Sequence, residues 1–150
     1  MGCVVVAVAE GETRVGPLSE ALRLLGPDHE YVFLSVEQGV VPAVLAEGGL
    51  AATAVVPDDV TWAEVDRAAR AAGSTKLAAF VEQLPARGRV RIETGDPAER
   101  ICAVAAEEHA DLVVIGSTHV GAIRRLIGGS VTDDVAHHAP CAVLLTRNGH

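Results

Sequence analysis

The residues of this chain with the clearest chemical potential lie in one segment, 116–130. An apolar, mostly β-branched run, Leu112-Val113-Val114-Ile115, ends abruptly at Gly116-Ser117. Such a run closed by glycine predicts a buried parallel strand that delivers a loop to the carboxyl edge of a sheet. A loop holding His119, Arg124 and Arg125 follows, and Gly128-Gly129-Ser130 then opens a helical pattern. Gly129, Ser130 and the amide of Val131 would put backbone donors and a hydroxyl at a helix start, where an anion is stabilised. The chemistry on offer is phosphate binding.

Other chemistries fail on spacing. Gly116 and Gly121 are separated by four residues, but Ala122-Ile123 follows where a Walker loop needs Lys and Ser or Thr. No dinucleotide glycine fingerprint follows the first strand, and no serine sits in the glycine-flanked elbow of α/β-hydrolases. No carboxylate pair is placed for glycoside or metal chemistry, so no catalytic residue is assigned. Cys3, Cys102 and Cys141 have no paired spacing and read as reduced thiols. His138 and Cys141 lack a second ligand pair, so no metal is expected.

The elements that must position this loop follow from periodicity. Val4 to Val8 is a continuous apolar run, predicting a central strand covered on both faces. Pro17 opens a helix with Leu18, Ala21, Leu22 and Leu25 on one face, stopped by Gly26-Pro27. Tyr31 to Leu34 is the second strand. Residues 37–60 hold three glycines and two prolines and read as a long loop of the kind used for lids or binding segments. Thr61-Trp62-Ala63-Glu64 is a capping box for a second helix, which runs to Pro85 with a weak point at Gly73-Ser74. Val90 and Ile92 alternate with charges, as in a half-exposed edge strand. Asp96-Pro97-Ala98-Glu99 starts a helix reaching about His109. Leu112–Ile115 is strand four, Ser130 caps a helix holding Val131 and Val135, and Ala142–Thr146 is strand five. This alternation predicts one α/β domain over 1–150, a parallel sheet layered between helices. Its ligand crevice would lie between Ala9-Glu10-Gly11 and Gly116-Ser117.

Bulk properties narrow the partners. Hydrophobic residues make up 49% and aromatics 3%, so the core is aliphatic. A net charge of −8 argues against nucleic acid and anionic membranes. No apolar run approaches the roughly 20 residues that span a bilayer. Met1-Gly2-Cys3 leads straight into a strand without a signal-peptide pattern, and a cytoplasmic location is the expectation.

The 111–147 block resembles the universal stress proteins. Their signature is a glycine, two residues, a second glycine, nine residues, then glycine followed by serine or threonine. Gly116 matches the first position and Gly129-Ser130 the last two; His119 stands where the second glycine belongs. His138-Ala139-Pro140-Cys141 before the last strand is also similar to the family's ending. The resemblance extends over nearly all of the chain and is most specific from about Val90 onward.

The resemblance implies a Rossmann-like, three-layer α/β sandwich of the adenine nucleotide alpha hydrolase type, with strand order 3-2-1-4-5. It implies a stress-response role without catalysis and a homodimer paired through the last strand, Ala142, Val143, Leu144 and Leu145. It implies an adenine-nucleotide pocket drawn from Ala9, Glu10, Val36, Gly116, Ser117, His119, Gly129, Ser130 and Val131. Family members that bind ATP place an aspartate at the end of strand one, where this chain has Ala9. The His119 ring enters where phosphate oxygens would lie, so ATP is expected to bind weakly or not at all. Two alternatives stay open. One is ATP or AMP binding through Gly116, Gly129 and Ser130, with His119 as a phosphate donor. The other is a nucleotide-hydrolysing enzyme of the same superfamily, although Ala9-Glu10-Gly11-Glu12 lacks the serine-glycine loop of those with pyrophosphatase chemistry.

Overall fold

The computed structural model describes residues 2–9, 12–37, 61–116 and 131–146. The strands are β1 (Cys3–Ala7), β2 (Glu30–Glu37), β3 (Gly88–Thr94), β4 (Leu112–Ile115) and β5 (Ala142–Leu145). The helices described are α1 (Gly16–Leu25), α2 (Trp62–Glu82), α3 (Pro97–Glu107) and α4 (Val131–His138). All strand pairs are parallel, in the order β3-β2-β1-β4-β5. This is the expected architecture and order.

Side-chain alternation divides the core into two layers. Val4, Val6 and Val8 of the first strand region pack with Tyr31, Phe33 and Val114 against α1 and α2. Val5, Ala7, Val32, Leu34, Val36, Val113 and Ile115 face the other way, against α3 and α4. A sheet covered on both faces needs apolar residues at successive positions, which is why β1 and β4 read as unbroken hydrophobic runs.

Local signals account for the helix starts. Thr61 and Glu64 form the reciprocal capping box, and the Asp96 carboxylate accepts from the Glu99 amide at 3.0 Å. Pro17 sits in the first turn of α1. Several elements depart from expectation. β2 has eight residues rather than four, because it is paired on both sides and β3 follows it as far as Glu37↔Thr94. α2 runs unbroken through Gly73-Ser74. A Cβ on Gly73 would lie 2.0 Å from Glu37 Oε1, so this glycine lets the helix pass close to the end of β2. α3 stops at Glu107, short of His109, whose φ of 51° is incompatible with a continuing helix. β1 and β5 are each one residue shorter at the carboxyl end than expected, although Val8 and Thr146 still donate into the neighbouring ladders. Residues 38–60 of the anticipated loop, and the cap Ser130, lie outside the described residues.

Candidate functional site

The sheet order reverses at β1. The chain leaves β1 for β2 on one side and later returns to β4 on the other. The carboxyl ends of β1 and β4 therefore flank the crevice where ligands bind in open parallel sheets.

On the β1 side, Val8 donates to the Leu34 carbonyl at 2.8 Å, and Glu12 donates its amide to the Ala9 carbonyl at 3.0 Å. Glu12 Oε1 accepts from the amides of Thr13 and Arg14 at 2.9 and 2.7 Å. Glu12 thus bonds back to Ala9 through its amide and forward to Thr13 and Arg14 through its carboxylate. Ala9 brings no hydrogen-bonding side chain to the crevice.

On the β4 side, the Gly116 amide points back to the Ala7 carbonyl at 3.4 Å, a long hydrogen bond. Among the described residues, a Cβ at Gly116 would meet nothing nearer than Ala7 O at 3.8 Å and the Leu18 methyls at 4.0 Å. Packing against the described residues does not demand glycine here. Gly88 contrasts sharply, because a Cβ there would sit 2.1 Å from Tyr31 O. Against the described residues, Gly116 leaves room above the backbone and relieves no clash.

Two further candidates reach the same edge. Val36, near the end of β2, and Val131, the first residue of α4, are buried in one apolar cluster with Ala7 and Ile115. Their side chains fill the core, so a ligand at this edge would meet their backbone. Asp133 and Asp134 stand exposed in the first turn of α4. There they favour the positive end of the helix dipole and oppose an incoming anion. Glu10, Ser117, His119, Gly129 and Ser130 lie outside the described residues.

Thr146 was missed by sequence reasoning. It is buried, and both its amide and its hydroxyl donate to the Ile115 carbonyl, at 3.0 and 3.2 Å. Its role depends on the β4–β5 register, which one-dimensional patterning does not contain. Glu12 was likewise missed as the residue whose amide bonds back to Ala9 while its carboxylate accepts from the Thr13 and Arg14 amides.

Among the described residues, the groups with shifted pKa lie away from this crevice. Hydrogen bonding to Arg89, ahead of its opposite charge, lowers Glu108, and hydrogen bonding to Glu107 leads the upward shift of Arg91. Burial leads the upward shifts of Cys3, Cys102, Cys141 and Tyr31. No group of three or more metal-ligating side chains exists among the described residues.

β5 ends the sheet beyond β4. Ala142 is exposed, Val143 half-buried, and Leu144 and Leu145 are 37% and 47% exposed. The expected edge strand is thus an edge, with apolar side chains in reach of solvent.

Residues 4–147 match the Universal stress protein family. A universal stress protein from Methanothermobacter thermautotrophicus is 41% identical over 59 residues, 39% of this chain; the matched stretch spans 40% of that relative's length. The universal stress protein from Archaeoglobus fulgidus, solved in complex with dAMP, superposes with a TM-score of 0.58 at 19% identity, covering 98% of each chain. A universal stress protein solved in complex with cAMP gives a TM-score of 0.62 at 18% identity, covering 96% of this chain and 94% of the other. At these identities the superpositions speak for a shared fold, and the family match extends over nearly the whole sequence. The chain belongs to the universal stress protein family.

Proposed function

We propose that this chain is a non-catalytic, cytoplasmic stress-response domain that pairs with a second copy through β5 and binds adenine nucleotide weakly. The observation that carries the reading is the pairing of a retained crevice with a missing contact. Gly116 keeps space that none of the described residues fills, whereas the Ala9 side chain offers no group to an adenine ring. The similar structures holding dAMP and cAMP support an adenine nucleotide as the ligand class. Free Cys3, Cys102 and Cys141 fit a reducing compartment.

The magnitudes favour weak binding. Loss of one adenine hydrogen bond weakens a complex by about 0.5–1.5 kcal/mol. A misfitting His119 ring adds about 1–3 kcal/mol by analogy with overpacking. Together these shift a micromolar site by roughly one to three powers of ten. The test is restoration. Ala9→Asp combined with His119→Gly should tighten ATP binding at least tenfold in a calorimetric titration; no change in the double variant would refute the degraded-pocket reading.

A further inference from the structure

Two helices begin at the crevice, and a helix start is where a ligand's phosphate is ordinarily held. α1 follows β1, and its Leu18 methyls lie 4.0 Å from a Cβ built on Gly116, so its first turn adjoins the end of β4. α4 leads into β5, which runs parallel to β4, so α4 also starts at the carboxyl edge. Its first residue, Val131, is buried in one cluster with Ala7 and Ile115.

Both starts already carry the protein's own anions. α1 has no side-chain N-cap and no acid in its first turn. Just before it, Glu12 Oε1 accepts from the successive amides of Thr13 and Arg14, at 2.9 and 2.7 Å. Successive amides converging on one point form the kind of concavity that binds phosphate oxygens, and here a carboxylate fills it. α4 carries Asp133 and Asp134 in its first turn, both exposed. Carboxylates so placed stabilise the helices, because they meet the positive end of each macrodipole. The same placement leaves less positive potential for a ligand. Among the described residues of these two starts, Arg14 is the one cation, exposed and set beside the carboxylates of Glu12, Asp133 and Asp134.

We propose that the crevice selects adenine ligands by charge: Glu12 and Asp134 disfavour the polyphosphate of ATP, and the site takes uncharged adenosine or singly charged cyclic AMP. This selection deepens the adenine-nucleotide reading above and rests on it. AMP and ATP carry progressively more negative charge, and each addition meets the same two carboxylates. Removing one carboxylate from a helix start shifts the affinity of an anion by about two- to fivefold. Exposed charges are screened over about 10 Å at 0.1 M salt. Added salt therefore relieves the repulsion and tightens ATP, the reverse of phosphate binding by cations.

The test titrates the full chain with adenosine, cyclic AMP, AMP and magnesium-free ATP, followed by amide chemical shifts, which register binding into the millimolar range. Affinity should fall in that order. Raising sodium chloride from about 0.05 to about 0.5 M should tighten ATP and leave adenosine unchanged. Glu12→Gln keeps an oxygen for the two amides, and Asp134→Asn keeps the side-chain shape. Each should raise ATP affinity about two- to fivefold and leave adenosine as it was. ATP binding as tightly as adenosine, or ATP affinity that falls with salt, would overturn the charge selection and leave the nucleotide reading standing. No shift with any of the four ligands, in wild type or in Ala9→Asp combined with His119→Gly, would refute the nucleotide reading and this selection with it.

Discussion

Thr146 donates twice to one acceptor: its amide and its hydroxyl both reach the Ile115 carbonyl, at 3.0 and 3.2 Å. This bond pair ties the end of β5 to the last carbonyl of β4, beside Gly116. Thr146→Val keeps the shape and the backbone bond and removes only the hydroxyl. Urea denaturation should show a loss of about 0.5–1.5 kcal/mol, the net worth of one hydrogen bond. An unchanged midpoint would mean that the hydroxyl contributes nothing to anchoring this edge.

Gly116→Ala and Gly88→Ala form a contrasting pair. At Gly116 a methyl finds 3.8–4.0 Å of clearance from the described residues, so the variant should fold within about 0.5 kcal/mol of wild type. At Gly88 the methyl would collide with the Tyr31 carbonyl, and the cost should reach about 1–3 kcal/mol or more. Thermal melts of both variants check the ranking, and equal losses would contradict it.

Leu144→Asp tests assembly. Leu144 is 37% exposed on the terminal strand, so a monomer tolerates a charge there with little change in melting temperature. A strand-to-strand homodimer does not, because the carboxylate would be buried against its symmetry mate. Light scattering should register a dimer for wild type and a shift to monomer for the variant. A monomeric wild type at micromolar concentration would contradict pairing through β5.

Patterning made much of the fold legible, and its failures have physical causes. The caps at Thr61/Glu64 and Asp96/Glu99 were readable because both partners lie within one helical turn. The strand order came from family resemblance, since periodicity does not encode which strands are neighbours. β2 was read as half its length because its ends, Glu30, Ser35 and Glu37, are polar, yet ladder bonds do not depend on side-chain polarity. Gly73 looked like a helix weakness; the nearness of Glu37 is a tertiary fact. At the crevice, Ala9 and Gly116 follow from strand-end reasoning, the Val131 amide from the helix start, and Val36 only from the family resemblance. The double bond of Thr146 to Ile115 required the register, and Glu12 required the geometry of the turn.

Glu108 predicts a pH dependence. Its carboxylate pairs with Arg89 at 2.6 Å and Arg91 at 3.0 Å, and its pKa is lowered chiefly by the hydrogen bond from Arg89. A carboxylate with a depressed folded-state pKa contributes stability above its ordinary value of about 4.5. That contribution disappears as pH falls through the folded value. Glu108→Gln should therefore melt below wild type at pH 7, with the two curves converging as pH drops below about 4.5. A gap that persists at pH 2 would mean that the variant acts through packing rather than charge.

Nucleotide affinity is the most direct measure of what this crevice does. ATP should be titrated calorimetrically into the wild-type chain, with ADP, AMP and cyclic AMP alongside. The predicted result is no detectable heat, or a dissociation constant roughly 10- to 1000-fold weaker than micromolar. Low-micromolar ATP binding that is abolished by His119→Ala would contradict it, making His119 a phosphate donor and the crevice an intact nucleotide site.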